Sequence, residues 1–127
     1  MTNNIEPRQL KFKVWDESLG MSEPFELGAH RVVFNHHKTK TISNIDLSMR
    51  FLQFTGLKDC EGNEIYEGDI VKCSNQLDNL LVSFCHGIFY ASNKFVAGDV
   101  IGYRPYNYTI VGNIYENPEL LEAGEIK

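Results

Sequence analysis

Three groups of residues have types and spacings that could do chemistry. The first is acidic. Residues 51–73 read FLQFTGLKDCEGNEIYEGDIVKC, with Asp59, Glu61, Glu64, Glu67 and Asp69 set around Gly62 and Gly68. Carboxylates beside glycine are the raw material of a cation loop. A calcium loop, however, needs oxygen ligands in a timed pattern closing on a distal glutamate, and D-C-E-G-N-E does not follow it. Both stretches fit turn chemistry instead. Asp59 opens a type I turn that ends on a left-handed Gly62, and Glu67-Gly68-Asp69 forms a second turn. The second group is His30, His36, His37 and His86 with Cys60, Cys73 and Cys85. Structural zinc uses paired ligands spaced C-x₂₋₄-C or H-x₃₋₅-H, and that pairing is missing, so no metal site is expected. Within this group Cys85 and His86 are adjacent. As neighbours on a strand they would point to opposite faces and could not meet.

The third group concerns binding. Tyr103, Arg104, Tyr106 and Tyr108 form an aromatic run with one base, and Lys11, Lys13 and Trp15 form a short basic-aromatic strand. Small barrels bind single strands or peptides through such residues. Tyrosines that alternate along a strand also pack a sheet while keeping their hydroxyls wet, and a single base is too few to follow a phosphate backbone. These seven residues are the candidate interaction surface. No phosphate-cradling glycine loop and no nucleophile–base–oxyanion arrangement is readable, so neither a cofactor nor an enzymatic activity is expected.

The elements that position these groups are mostly strands. LKFKVW (10–15) alternates, with Leu10, Phe12 and Val14 on one face and Lys11 and Lys13 on the other; its lysines suggest an edge strand. DESLG is a turn opened by Asp16. Residues 21–30 read as irregular, RVVF (31–34) as a short strand and residues 36–48 as a loop. RFLQF, DIVKC, LLVSF, IFYAS and TIVGNIY are further strands, and Gly112 inside the last one signals a bulge or a close backbone approach. Asn117-Pro118-Glu119 has the order of an N-cap, a first helical position and a helpful dipole charge, so a helix of about two turns ending near Gly124 is expected. Short strands with turn signals at this spacing indicate a small antiparallel barrel.

Composition narrows the class. The 127 residues carry a net charge of −5, and 12% of them are aromatic. Residues 1–60 hold eight Lys/Arg against seven Asp/Glu, whereas residues 61–127 hold four against ten, a net −6. Tight non-specific nucleic-acid binding sets several bases against phosphates, which disfavours the acidic half for that use. Three cysteines without C-x-x-C spacing fit reduced thiols, with Cys73 and Cys85 expected as small core residues and Cys60 as an exposed thiol. No apolar run approaches a membrane span, and MTNNIEPRQ lacks the apolar core of a signal peptide; a soluble, cytoplasmic chain is expected.

Three motifs carry a family resemblance. K-F-K-V-W-D (11–16), L-Q-F-T-G-L-K-D-x-x-G-x-E-I-Y-E-G-D-I-V (52–71) and I-V-G-N-I-Y-E-N-P-E-L-L (110–121), in this order across nearly the whole chain, resemble the YopX-like proteins of bacteriophages and prophages. Departures are Cys60-Glu61 in the first turn and the individual stretch 77–99. The resemblance implies a mainly β protein: a variable N-terminal portion (1–50), then an SH3-like barrel (51–127) with a short C-terminal helix. It implies no assigned catalytic activity. The expected role is a non-enzymatic phage accessory module that binds a host or phage protein and self-associates. The alternative is a nucleic-acid-binding module in phage replication or regulation.

Overall fold

A computed structural model describes residues 10–26, 33–36, 38–41, 49–74, 78–93, 98–102 and 107–122. The chain divides into two compact units, 1–56 and 57–127.

The first unit is built on β1 (Lys11–Asp16), which pairs antiparallel with β6 (Met49–Lys58) on one side and with β2 (Gly20–Met21) and β3 (Phe25–Glu26) on the other. The expectation of an edge strand is therefore overturned. The registers Phe12↔Gln53 and Trp15↔Arg50 on one side, and Phe12↔Phe25 and Trp15↔Met21 on the other, occupy both edges of β1. The alternation itself holds at its centre, where Val14 is fully buried and packs with Phe25, Met49 and the half-buried Phe12. Asp16 makes the expected turn: its Oδ1 accepts from the backbone N–H of Ser18 (2.8 Å) and of Leu19 (3.3 Å) and from the Ser18 hydroxyl (2.7 Å). Beyond β2, the buried Ser22 extends the pairing with its side chain, accepting from Val14 N at 2.8 Å while its own N–H donates to Val14 O. Residues read as loop contain a strand: β4 (Val33–His36) and β5 (Lys38–Thr41) form a hairpin in the register Val33↔Thr41 to His36↔Lys38. K-T-K-T alternates with a β-branched residue at every second position, a pattern that suits strand although it is wholly polar.

In the second unit the end of β6 turns through Asp59–Asn63 into β7 (Glu64–Tyr66). A five-stranded antiparallel sheet follows in the order β11 (Asp99–Val100), β10 (Ile88–Ser92), β9 (Leu80–Cys85), β8 (Asp69–Cys73), β12 (Tyr108–Asn113). Its buried face collects Val71, Cys73, Leu80, Val82, Ala91 and Tyr108 with Ile65 and Ile101, backed by Leu57, Phe89 and Ile110. The fold is thus mainly β, as expected, with a curled sheet and one helical turn, α1 (Glu119–Glu122).

Gly112 marks the expected bulge, where the β8–β12 register shifts between Ile110 and Gly112. It also serves a close approach, since a Cβ there would stand 2.7 Å from both Asn117 Oδ1 and Leu120 Cδ1. The Asn117 side chain does not cap the helix as expected. Its Oδ1 accepts from Asn113 N (3.2 Å) while its carbonyl accepts from Leu120 N (3.0 Å), and Asn113 closes the turn before the helix, its Oδ1 taking the N–H groups of Tyr115 (3.0 Å) and Glu116 (2.9 Å). Gly112→Ala should cost about 1–2 kcal/mol, within the usual range for overpacking, because Leu120 can turn aside but the bonded Asn117 carboxamide cannot do so freely. Thermal melts measure the loss; an unchanged midpoint would refute the close approach.

Candidate functional site

The acidic stretch resolves into two structural clasps. Asp59 is only 6% exposed. Its Oδ1 accepts from Glu61 N and Asn63 N, both at 2.9 Å, and its Oδ2 accepts from Ile110 N at 3.0 Å and Asn63 Nδ2 at 3.4 Å. Gly62 N–H closes the turn on Asp59 O, with Gly62 at φ +89°. Cys60 N–H donates to Tyr108 O, so the turn and the Asp59 carboxylate together occupy the outer edge of β12. Burial pushes the Asp59 carboxyl upward. The backbone donors of Ile110, Asn63 and Glu61, with the Asn63 carboxamide, outweigh it and hold the group below its ordinary value.

The second clasp is Tyr66–Asp69. Asp69, also buried, accepts from Tyr66 N at 2.8 Å through Oδ2. The Tyr66 hydroxyl donates to Glu64 Oε1 at 2.9 Å, as residues two apart on one strand face allow. Burial, then that bond and the nearby Glu64 and Asp69 charges, push the Tyr66 phenol well above its ordinary value. Glu61 is exposed, whereas Glu64 and Glu67 are half-buried. Among the described residues no group of three His, Cys, Asp or Glu is placed to hold a metal ion. The carboxylates do the turn chemistry their sequence announced.

The binding candidates separate. Lys11, Lys13 and Trp15 lie half-buried on β1, with the Lys11 ammonium 5.6 Å from the centroid of the Phe54 ring. Tyr108 is 7% exposed and belongs to the core of the second unit, so its ring is not offered to a partner. Tyr103, Arg104 and Tyr106 lie outside the described residues, as do His30, His37 and Gly124; of His36 only the backbone is described.

One juxtaposition reverses the expectation from sequence. β9 and β10 close directly on each other, Cys85 pairing with Ile88, through the two-residue turn His86-Gly87 at φ +53° and +80°. Two successive positive φ angles define the type I′ turn that suits the twist of a hairpin. His86 is therefore a turn residue, not a strand residue, and its ring folds back: Nδ1 lies 3.0 Å from Cys85 Sγ. Strand alternation therefore does not hold the pair apart. Cys85 is also exposed and not in the core, unlike Cys73. On either side of this pair Phe84 and Ile88 are 42% and 40% exposed. Phe84 packs its ring, tilted by 50° and centred 4.7 Å away, against Phe89, its cross-strand partner, continuing the buried Val82–Ala91 row out to the tip. Residues 85–87 between LLVSF and IFYAS read as a hairpin connection, but nothing in LVSFCHGIFY distinguishes an overhanging tip from a buried one.

These features define a small, two-unit, mainly β protein whose described acidic turns are structural and whose β9–β10 tip carries an exposed thiol beside an imidazole. The family model described as "YopX protein" matches residues 11–122, and the chain belongs to the YopX family. Among solved structures it is similar to protein EF1440 from Enterococcus faecalis, with 25% identity, a TM-score of 0.54, and 88% of this chain and 97% of that one covered. It is also similar in fold to protein yopX from Bacillus subtilis, with 19% identity, a TM-score of 0.58, and 87% and 97% covered. No curated protein matches the chain. Among the described residues no helix is long and apolar enough to cross a membrane.

Proposed function

We propose that this YopX-family chain is a non-enzymatic accessory module of a phage or prophage, acting in the bacterial cytoplasm by binding a protein partner and by self-association. The observation that carries the reading is the β9–β10 tip, where Phe84 and Ile88 stand exposed on a hairpin within the acidic half of the chain. Large exposed apolar side chains favour a protein surface, whereas net negative charge repels a phosphate backbone. The half-buried lysines of β1 and the core position of Tyr108 weaken the competing nucleic-acid reading.

Sedimentation of the purified chain tests self-association, and crosslinking in host extract with mass spectrometry tests the partner. Concentration-dependent mass and a crosslinked protein, both lost in the double variant Phe84→Ser/Ile88→Asp, are the expected results. A strictly monomeric chain that captures no protein, or one that binds oligonucleotides with a steep salt dependence, overturns the proposal.

A further inference from the structure

The geometry points to Cys85 as a site of thiol–disulfide exchange, modified by low-molecular-weight disulfides with His86 as the proton acceptor. This inference does not rest on the interaction reading, since it needs only the chain and the reagent. Two thiols are exposed, and their surroundings differ in one respect. Cys60 Sγ lies 3.1 Å from the Thr109 hydroxyl, which is not a base near neutral pH. Cys85 Sγ lies 3.0 Å from an imidazole nitrogen, which is one. With the imidazole proton on Nε2, Nδ1 is free to take the thiol proton. Cys73 is buried and outside reach.

The step balances without a further reagent. Cys85 Sγ attacks one sulfur of R–S–S–R, the Sγ–S bond forms and the S–S bond breaks. The thiol proton passes to His86 Nδ1 and then to the departing thiolate, which leaves as R–SH. Cys85 is oxidised to a mixed disulfide while half of the reagent is reduced.

The residue at position 86 supports the assignment independently of the contact. A type I′ turn is best served by Asn-Gly, because asparagine tolerates a positive φ better than histidine does. The turn therefore holds an imidazole where a better turn-former was available. Around the tip, the other titratable group of the hairpin strands is Tyr90, which registers with Ser83 and Val100. The bordering strands meet the far half of the hairpin, at Ile70↔Leu81 and Val71↔Leu80 on one side and Ala91↔Asp99 on the other. Lys72 and Asp99 thus lie toward its base, while the Gly68–Val82 bond brings Glu67 and Asp69 along the side of β9; among the described residues His86 is the titratable group in contact with the Cys85 thiol.

The test compares the full chain as Cys60→Ala, as Cys85→Ala and as Cys60→Ala/His86→Asn. Each reacts with oxidised glutathione and with neutral dithiodipyridine, followed by rate and by intact mass. Near pH 7, Cys85 should react about 10-fold faster than Cys60, the scale on which a neighbouring histidine activates a thiol. His86→Asn should bring it down to the Cys60 rate. That variant should melt at or above the parent temperature, so lost reactivity cannot be ascribed to unfolding. Equal rates for the two cysteines near neutrality, or a Cys85 rate indifferent to His86→Asn, would overturn the assignment.

Discussion

Asp59→Ala should lower the unfolding free energy by about 3 kcal/mol. The figure rests on the donors stranded, at about 1–1.5 kcal/mol each for a lost hydrogen bond and more where the acceptor is charged. Three backbone N–H groups, those of Glu61, Asn63 and Ile110, lose one shared acceptor. Glu61 is exposed and water can replace part of its bond, which keeps the total near the lower bound. The Ile110 bond is the informative one, because it joins residues 51 positions apart and belongs to tertiary structure, not to the turn. Hydrogen exchange at the Ile110 amide should therefore quicken in the variant more than exchange within β9. Asn63 should respond as well, since it also loses its acceptor.

The same group sets an acid limit. The folded carboxyl lies below its ordinary value of 3.8, so folding favours the ionised form. Its stabilisation is whole well above that value and is lost as pH falls through it toward the lower folded value. Asp59→Asn, which keeps one acceptor oxygen but turns a donor amide toward a donor backbone, should lose an intermediate amount. It should also lack this part of the acid dependence. Urea unfolding of the parent and both variants from neutral pH down to about pH 3 decides the matter. An Asp59→Asn curve parallel to the parent through the acid range would show that folding does not lower the pKa of the carboxyl.

What could be read in the sequence, and what could not, follows the range of the interactions. Asp59, Gly62 and Asp16 shape turns within four residues of themselves, and residue type alone announces them. That Asp59 also binds Ile110 is invisible locally, since nothing near residue 59 says which strand will lie beside it. For the same reason β1 was mistaken for an edge. Lys11 and Lys13 have the composition of an edge, but position in a sheet is set by residues 49–53 and 21–26 pairing on its two sides. Polar K-T-K-T was read as loop because its partner, not its hydropathy, makes it strand. Asn117 has the type of a capping residue, but its side chain is taken by the Asn113 N–H, a contact that residue type does not announce. At the candidate site the difference is narrower: strand alternation does not govern a residue in the connection between LLVSF and IFYAS, and the turn at His86 converts an impossible dyad into a contact.

Gly68→Ala should be nearly as damaging as the loss of Asp59, at about 3 kcal/mol, by a different route. Gly68 has φ +92°, a conformation that costs a residue with a Cβ about 1–2 kcal/mol. The new methyl would also stand 3.0 Å from Tyr115 Cε2 and 3.8 Å from Ile114 Cγ2. Neither cost can be escaped by rotating the peptide. Gly68 N–H donates to Val82 O at 2.8 Å, and Gly68 O accepts from Ile114 N at 2.8 Å, so this residue is bonded on both sides. Moving to negative φ would break the two bonds, and keeping φ would retain the strain and force the Tyr115 ring aside. Tyr115 is in turn held at its backbone by Asn113 Oδ1, which couples the glycine to the turn leading into α1. The expected signature is thus a loss of stability together with faster exchange at the amides of Ile114 and Tyr115. Asp69→Ala provides the contrast within the same turn, since it removes the acceptor of Tyr66 N but leaves both Gly68 bonds in place. If Gly68→Ala were neutral, the left-handed conformation at this turn would be wrong, and with it the reason why E-G-D and not E-A-D stands at the entrance to β8.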